Sequence, residues 1–357
     1  MNEKYKVTVG IALYNCQEYI ERCLNSVLEQ TYSNIEIIVV NDGSTDNSLN
    51  IVNEIKKNSI KKDRIKIYTK ENGGPSSARN YIIEKSTGEF ILLIDSDDWL
   101  EKDAVEKMME IQYKYNCDIV KINYCVNSSE DKMINKGGFQ KYKDKLIDVA
   151  IHKEKLITDI LLGNIPAYTW SMLIKKEVIK KELYFEEDIV HLEDKLFLIK
   201  LISNVKNIFF SSEILYHYFL NINGLMHKNN FEYYLEKDIE LNKIINEIIE
   251  EYYNDYKNLF IINNTMSSYA IERNLYNIYK TTNEQKMVEE YNKIKEEWKK
   301  ISKETDYKYL KNSKYAIKGE HFIKKWNKNN LSSITKSYNI EKYLENIKTK
   351  IKAIVRG

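Results

Sequence analysis

Short apolar runs alternate with helix-like stretches through the first hundred residues of the chain. The runs IEIIVVN (35–41) and ILLI (91–94) show no alternation of apolar and polar positions, which is typical of parallel strands covered on both faces. Residues 16–30 instead repeat their apolar positions with a helical period. The pattern predicts strands at 6–13, 35–41, 65–69 and 91–94, with helices at 16–30, 47–57 and 75–85. This alternation indicates βαβ units and a parallel sheet.

The second hundred residues continue the alternation less regularly. Apolar residues around Trp170 predict a strand, and Glu193 and Asp194 open a helix whose apolar positions require it to pack inward. The other elements predicted here are a helix at 102–115, a strand at 118–124, a loop or hairpin at 128–142, a helix at 151–163, a strand at 167–174 and a short helix at 175–181.

From residue 230 onward the pattern is helical, and we expect a helical bundle. The last predicted helix carries an apolar stripe from Ile340 to Val355 with lysines around it, and residues 320–357 hold nine Lys or Arg against three Glu. Such a helix suits an anionic membrane surface. Packing on its own bundle, with the lysines in water, explains the same pattern equally well.

Composition narrows the class of protein. A length of 357 residues suggests two or three domains, and 30% charged with 43% hydrophobic residues is typical of a soluble globular protein. A net charge of only +2 argues against a dedicated nucleic-acid binder. The four cysteines form no CxxC pair, which favours reduced thiols in the cytoplasm. No apolar window is long enough to predict a transmembrane helix.

Three aspartates follow the apolar run at 91–94, in the stretch FILLIDSDDWL (90–100). Ligands of open α/β sheets bind outside the carboxyl ends of the strands. Asp95 and Asp97 can supply oxygen ligands to one divalent cation, and Mg²⁺ is typically held by one or two carboxylates together with substrate phosphates. The alternative is a capped turn before the next helix, and that role is the one we expect for Asp98.

Asp42 repeats this placement at the end of the strand 35–41. Parallel strands share a direction, so Asp42 and Asp95 are expected at the same edge of the sheet. Asp42 can bond the ribose or base of a nucleotide, as acidic residues do in dinucleotide folds, while helix capping explains it equally well. The chain has neither GxGxxG nor GxxxxGK[ST], which disfavours dinucleotide-binding and P-loop proteins.

Glu193 and Asp194 form the second acidic pair of interest. A helix start favours carboxylates because of the backbone dipole, so capping is one explanation. The other is a general base beside the strand-tip crevice, since neighbouring acids disfavour joint ionisation and acquire separated pKa values.

Taken in order, six segments resemble the family 2 glycosyltransferases of the GT-A fold, from about residue 4 to about residue 220. They are VTVGIALYN (7–15), VVNDGSTDNS (39–48), ENGGPSSARN (71–80), LLIDSDDWL (92–100), WSMLIKKEV (170–178) and LEDKLF (192–197). The resemblance implies an α/β GT-A nucleotide-diphospho-sugar transferase fold, with a mostly parallel, Rossmann-like sheet at 1–228 and a helical domain at 229–357. Within the first, it implies a nucleotide-binding half at about 1–100 and an acceptor half at about 101–228.

The resemblance also implies roles for individual residues. Asp97, with Asp95, would form the DxD pair that binds Mn²⁺ or Mg²⁺, and Asp194, supported by Glu193, would take the proton of the acceptor hydroxyl. The residues expected to contact the donor are Ala12, Tyr14, Asp42, Asn72, Gly74, Arg79, Asp95 and Ser96.

Two departures from the family pattern stand out. Ala12 occupies a position where members commonly have proline, and FLNINGLMHK (219–228) replaces a segment in which members often carry an arginine and a serine that close over the diphosphate. Asn221, Asn223, His227 and Lys228 are candidate substitutes. His217 or His227 is also a candidate third metal ligand, although a structural role for His217 fits its strand-like surroundings better.

The function implied is an inverting transfer of a sugar from a nucleotide diphosphate, expected to be UDP, to a hydroxyl of a glycan or lipid-linked acceptor in bacterial surface polysaccharide synthesis. The expected location is the cytoplasm, with peripheral attachment to the inner face of the cell membrane through the C-terminal basic helix. A non-catalytic nucleotide-sugar-binding subunit remains an alternative. A nucleotidylyltransferase is disfavoured because no glycine-rich basic loop follows the first strand.

Overall fold

The structure is a computed structural model, and it describes residues 4–127, 133–137, 139, 142–189, 192–220, 231–282, 284–303 and 306. The strands are β1 (Val7–Leu13), β2 (Ile35–Asp42), β3 (Ile65–Lys70), β4 (Phe90–Asp95), β5 (Trp99–Leu100), β6 (Ile119–Asn127), β7 (Met133–Gly137), β8 (Lys145–Asp148), β9 (Met172–Lys175) and β10 (Asn207–Phe219). The α-helices are α1 (Ile20–Leu28), α2 (Ser48–Asn58), α3 (Gly74–Lys85), α4 (Ala104–Tyr115), α5 (Val149–Leu161), α6 (Glu193–Ile202), α7 (Phe231–Tyr253), α8 (Asn258–Thr281) and α9 (Glu284–Lys303).

The first four long strands form the predicted parallel arrangement, in the order β3-β2-β1-β4. All residues of β1, β2 and β4 are buried apart from Ala12 and Asp95, which are half-buried at the strand ends. Ala12 pairs with Asp95, and Asp42 pairs with Lys70. The carboxyl ends of these strands therefore lie at one edge of the sheet, as the sequence predicts.

Beyond β4 the sheet is mixed, because antiparallel pairs join the predicted parallel ones. β9 runs antiparallel to both β4 and β6, while β6 and β10 are parallel. β7 completes a hairpin with β6. The first half of β10 pairs with β8, and its last half pairs with β5, directly after the three aspartates. The burial pattern predicts which segments enter a sheet but not the direction in which each one runs.

Two helices are shorter than predicted, and the contacts at their starts explain why. α1 begins at Ile20 instead of residue 16, because the backbone amides of Cys16 and Gln17 bond the side chains of Ser48 and Asp46 at the start of α2. α4 begins at Ala104, since the two residues of β5 pair with β10 first. At 167–181 the structure has 3₁₀ turns at Thr169–Ser171, Lys176–Val178 and Lys181–Leu183, with β9 as the strand.

The chain divides into two compact units. The first comprises Met1–Ile160, Ile165–Asn229 and Glu247–Tyr256, and contains the sheet. The second comprises Leu161–Asn164, Asn230–Asn246 and Lys257–Gly357. The predicted domain boundary at residue 228 stays a prediction.

From residue 231 onward the described residues of the second unit are mainly helical, in agreement with the sequence pattern. Its helices share buried amide contacts, such as the bond that Asn242 Nδ2 donates to Asn264 Oδ1 at 2.9 Å. The basic helix predicted at 340–355 lies outside the described residues. None of the helices in the described part of the chain combines the length and the apolar character needed to cross a membrane.

Candidate functional site

One arginine joins the carboxylates that the sequence singles out. Arg79 lies on α3, and only 6% of its surface is exposed. Its Nη2 donates to Asp95 Oδ1 at 2.9 Å, and its Nη1 donates to Glu193 Oε1 at 2.9 Å and to Asp194 Oδ1 at 3.3 Å. The aspartate at the tip of β4 and the acidic pair at the start of α6 therefore lie within reach of a single guanidinium.

Burial and charge act in opposite directions on these groups. Burial opposes the charge of Arg79, but Asp194, Asp95 and Glu193 together raise the pKa of its guanidinium. Burial raises the pKa of Asp194, Arg79 opposes that rise, and Asp95 adds to it. The pKa of Glu193 is also raised, by burial and then by the neighbouring Asp194. A carboxylate whose pKa is raised holds a proton more readily, which is a property of general bases.

The Asp194 carboxylate has a second set of partners that the sequence reasoning missed. Thr169 donates to Asp194 from its hydroxyl at 2.7 Å and from its backbone amide at 3.3 Å. Thr169 belongs to the 3₁₀ turn before β9 and is 1% exposed. The only sequence signal for Thr169 is its place directly before Trp170, the first residue of the segment WSMLIKKEV (170–178).

The turn after β4 corrects one prediction. Asp98 does not cap α4, which begins at Ala104 with Asp103 before it. The Asp98 carboxylate is fully buried and accepts bonds from the Tyr216 hydroxyl at 2.5 Å and from the Phe219 amide at 2.7 Å. Both donors belong to β10, which packs against this turn. A local sequence pattern cannot predict this contact, because β10 lies far along the chain. Burial, with Asp97 and Asp95 nearby, raises the pKa of Asp98.

Tyr216 is a further residue that the sequence reasoning did not assign to the site. Its hydroxyl donates to Asp98 and accepts a bond from the Asp95 amide at 3.3 Å. The side chain of Asp95 is 30% exposed. This turn therefore presents a carboxylate to solvent while the Tyr216 hydroxyl holds the backbone amide of Asp95.

Negative charge is concentrated around this turn. Burial raises the pKa of the Cys16 thiol to about 12, with Asp97, Asp46 and Asp98 among the further causes. Burial and then Asp98, Asp97 and Asp95 raise the pKa of Tyr218 as well. A cluster of hard, anionic oxygen ligands is chemically suited to Mg²⁺ or Mn²⁺.

A metal ion at this turn would have fewer than three protein ligands among the residues that the structure describes. They contain no group of three or more His, Cys, Asp or Glu side chains arranged to hold a metal ion. His217, one candidate third ligand, is instead held by Glu101 at 2.8 Å, by Cys125 at 3.2 Å and by the ring of Trp99. The other candidate, His227, lies outside the described residues, as do Asn221, Asn223 and Lys228.

A second group of predicted donor-binding residues forms around Asp42. Its carboxylate, 3% exposed, accepts bonds from Lys70 Nζ at 2.8 Å, Gly73 N at 3.0 Å and Gly74 N at 2.8 Å. Asn72 Nδ2 donates to the backbone oxygen of Asp42 at 3.0 Å. Asp42 therefore shapes the loop that begins α3, and the contact predicted between its carboxylate and a nucleotide stays a prediction.

The remaining predicted donor-binding residues surround these two groups. Tyr14 is 50% exposed in the loop after β1, and the next residue, Asn15, accepts a bond from the Thr45 amide at 2.8 Å. Ala12 is half-buried beside Asp95 in the sheet register. Ser96 is 8% exposed and forms a hydrogen bond with Cys16. Their contacts with a donor likewise remain predictions.

Comparison with known proteins decides the family. The family described as "Glycosyl transferase family 2" matches residues 8–182. An uncharacterized glycosyltransferase of Haemophilus influenzae is 32% identical over 202 residues, which are 56% of this chain and 73% of that protein. This chain belongs to glycosyltransferase family 2. EpsH of Bacillus subtilis is 33% identical over 226 residues, 62% of the chain, and a chondroitin synthase of Pasteurella multocida is 45% identical over 100 residues, 28% of the chain.

This chain spans less than two thirds of the length of these two relatives: its match covers 63% of EpsH and 10% of the chondroitin synthase. Among solved structures it is similar to TarS of Staphylococcus aureus, residues 1–349 in complex with UDP-GlcNAc, with a TM-score of 0.56 and 21% identity over 83% of this chain and 92% of that one. It is also similar to the mannosyltransferase PcManGT of Pyrobaculum calidifontis in complex with GDP-Man and Mn²⁺, with a TM-score of 0.51 and 15% identity over 78% and 75% of the two chains. These likenesses support the GT-A fold.

Proposed function

We propose that this chain is an inverting glycosyltransferase that moves a sugar from a UDP-sugar to a hydroxyl of a glycan or lipid-linked acceptor in bacterial surface polysaccharide synthesis. Membership of the family supports a nucleotide-sugar donor, and the TarS structure contains UDP-GlcNAc. The chondroitin synthase among the relatives supports a polysaccharide product. The observation that carries the proposal is the contact of Arg79 with Asp95 on one side and with Glu193 and Asp194 on the other.

In the proposed reaction, Arg79 lies between Asp95 on the donor side and Asp194, the base. Asp95 and Asp97 would hold Mn²⁺ or Mg²⁺ as the DxD pair beside the diphosphate of the donor, since Mg²⁺ is typically bound by one or two carboxylates together with substrate phosphates. When bound, the cation stabilises the negative charge of the leaving diphosphate as a Lewis acid. Arg79 would fix the distance between the diphosphate side and the acceptor side, since orientation of two reactants supplies much of the rate in such transfers.

Asp194 would act as the base. The acceptor hydroxyl gives its proton to the Asp194 carboxylate while its oxygen forms a bond with the anomeric carbon of the sugar. The bond from that carbon to the diphosphate breaks, and the nucleoside diphosphate leaves with the electron pair. A positioned base contributes roughly 10²- to 10⁴-fold to such a step. Thr169 and Arg79 would hold the carboxylate in place, and Glu193 would support it through the shared guanidinium.

The nucleoside would lie over the loops at the ends of β1 and β2. Tyr14 presents an exposed ring on which a base could stack, and the loop that Asp42 organises, with Asn72 and Gly74, faces the same edge of the sheet. Ala12 and Ser96, beside Asp95, would line the ribose side. A single displacement by this arrangement inverts the anomeric configuration of the sugar.

The wider assignments are part of the same proposal. The catalytic domain would comprise residues 1–228, and the helical domain 229–357. The predicted basic helix near the C-terminus would hold the protein at the cytoplasmic face of the membrane, close to a lipid-linked acceptor. Failure of the purified protein to sediment with anionic vesicles at low salt would contradict this attachment.

Release of UDP from UDP-sugars in the presence of Mn²⁺ tests the central proposal. A thermal-shift screen of UDP-, GDP- and dTDP-sugars first identifies the donor, because a ligand that binds the folded state raises its apparent stability. We expect Asp194→Asn to lose UDP release while donor binding is kept. Asp188→Asn, which removes an exposed acid from the segment before α6, is the matched control and should keep full activity.

The outcomes separate the alternatives. Donor binding without UDP release in the wild type would indicate a nucleotide-sugar-binding subunit. Release of pyrophosphate from a nucleoside triphosphate and a sugar phosphate would indicate a nucleotidylyltransferase. Retention of the anomeric configuration in the product, measured by NMR, would overturn the inverting mechanism.

A further inference from the structure

A lysine is buried in the middle of the sheet, next to the acidic pair on α6. Lys121 lies on β6, and only 2% of its surface is exposed. Its Nζ donates to the Ser171 hydroxyl at 2.8 Å and to the Tyr168 backbone oxygen at 3.1 Å. Lysines are almost never fully buried unless their ammonium group is paired, so the side chain has a specific structural task.

The two bonds of Lys121 enclose the residue that holds Asp194. Tyr168 precedes the 3₁₀ turn and Ser171 is its last residue, and Thr169 lies between them. Thr169 donates to both oxygens of Asp194, at 2.7 and 3.3 Å. A path of direct contacts therefore runs from Lys121 through the turn to the carboxylate proposed as the base. Ser171 also donates to Tyr168 O at 3.0 Å, which closes the turn on itself.

The surroundings of Lys121 make its position costly. A cavity of about 10 Å³ beside it is lined otherwise by apolar side chains, among them Ile119, Met172 and Phe210. Burial lowers the pKa of Lys121 to about 7, and Asp194 opposes that decrease. An isolated ammonium group in such an apolar environment is unfavourable. A residue with this cost is expected where its charge or its bonds serve a site.

We propose that Lys121 is a positioning residue for Asp194: it clamps the Tyr168–Ser171 turn so that Thr169 holds the carboxylate in place for proton transfer. This rests on the proposed function of Asp194. The clamp acts on the orientation of the base and not on donor binding, because its contacts lie on β6 and in the turn before β9. Loss of the clamp is therefore expected to change kcat and leave the KM for the donor unchanged.

Hydrogen exchange of the full chain tests the clamp without any assay of activity. In Lys121→Met, the peptide that covers residues 167–172 should exchange at least about fivefold faster, because the turn loses both bonds from Lys121 and holds the Thr169 amide against Asp194 less firmly. Lys200→Met is the matched control: Lys200 is also a buried lysine, and its Nζ bonds Tyr184 O at 2.8 Å and Glu186 at 2.7 Å. The control should leave exchange at 167–172 unchanged.

A double-mutant cycle then tests the path to Asp194. Lys121→Met and Thr169→Val should each lower kcat for UDP release about 10- to 100-fold, and the double variant should lower it no further than either alone. Lys121→Arg, which keeps a donor at this position, should restore part of the activity. If Lys121→Met does not fold, Lys121→Gln takes its place in both measurements.

Four results would overturn the proposal. Unchanged hydrogen exchange at residues 167–172 in Lys121→Met would show that Lys121 does not clamp the turn. Faster exchange with unchanged kcat shows that the clamp does not position the base, as do additive effects in the cycle. A wild-type protein that binds donors but releases no UDP refutes the proposed function, and the positioning role with it, whereas the exchange result then still reports on the contact.

Discussion

The Nη2 atom of Arg79 lies 2.9 Å from Oδ1 of Asp95, and its Nη1 atom reaches the acidic pair at the start of α6. These partners are 16 and 114 to 115 residues away along the chain. The arginine thus fixes the spacing between the end of β4 and the start of α6. In the proposed reaction, that spacing is the distance between the donor and the base.

Arg79→Met should lower kcat about 100-fold and move the acidic limb of its pH profile to higher pH. The base must be ionised, so activity falls as pH decreases through the pKa of Asp194. Burial raises that pKa and Arg79 lowers it, so removal of Arg79 raises it further. The measurement is kcat for UDP release from about pH 5 to about pH 9, roughly two pH units on each side of neutrality.

Arg64→Met is the control for this experiment. Arg64 directly precedes β3, at the opposite end of the parallel strands from the site. Its removal should therefore change neither kcat nor the acidic limb of the pH profile. A limb that moves to lower pH in Arg79→Met would contradict the assignment of Asp194 as the base.

Asp97→Asn should raise the Mn²⁺ concentration needed for half-maximal activity at least about tenfold, because an amide oxygen is a weaker ligand than a carboxylate. Removal of metal with a chelator should abolish UDP release, and added Mn²⁺ should restore it. Asp103→Asn is the control, since Asp103 is an exposed acid that pairs with Lys107 at the start of α4. An equal response of both variants to Mn²⁺ would exclude Asp97 as a metal ligand.

Periodicity and burial predict most of the fold. Runs rich in apolar residues locate β1, β2 and β4 to within one or two residues, because both faces of these strands are covered. The directions of β9 and the two-part pairing of β10 are not predictable in this way. They depend on contacts between segments far apart in the chain, such as those that turn Asp98 toward Phe219.

The residues of the candidate site fall into the same two groups, those that the sequence indicates and those that only the fold reveals. Acids at strand and helix ends are visible in the sequence, because local rules place Asp95 and Asp194 there. Thr169, Tyr216 and Lys121 are visible only in the fold, because their polar atoms meet partners 25 to 121 residues away. A lysine inside the buried strand DIVKINY is the one sequence signal that could have identified Lys121.

Gly43→Ala should weaken UDP binding. Gly43 has φ +72°, and an added Cβ would lie 3.0 Å from the backbone nitrogen of Asn72, so the Asp42 loop must shift. The left-handed conformation costs an alanine roughly 1–2 kcal/mol. Gly163→Ala, at φ +70°, carries a similar backbone cost outside this loop and is the control. Calorimetric titration with UDP should show a higher Kd for Gly43→Ala alone, and an equal Kd in the two variants would show that the loop does not contact the nucleotide.

Tyr216→Phe should lower the free energy of unfolding by about 1–3 kcal/mol, because Asp98 and the Asp95 amide lose a buried hydrogen-bond partner together. It should also raise the Mn²⁺ requirement, since the backbone at Asp95, the proposed metal ligand, is then less firmly held. Tyr184→Phe is the control, because the bond that Tyr184 accepts from Lys200 is made by its backbone oxygen, which the substitution keeps. Urea unfolding measures the first effect and metal titration of UDP release the second. A loss of stability with an unchanged Mn²⁺ requirement would restrict Tyr216 to a structural role.

Glu36→Gln should destabilise the protein at neutral pH and much less in acid. Burial alone would raise the pKa of Glu36, but bonds from Lys66, Thr8 and Thr87 lower it to about 2. A carboxyl whose pKa is depressed on folding contributes stability above its unfolded pKa, about 4.3, and loses it as pH falls toward 2. The difference in unfolding free energy between wild type and variant should therefore be on the order of 3 kcal/mol at pH 7 and shrink steadily below pH 4.5. Urea unfolding at several pH values measures it, with Glu84→Gln, an exposed acid on α3, as the control. A difference that stays constant down to pH 3 would show that the network does not depend on the charge of Glu36.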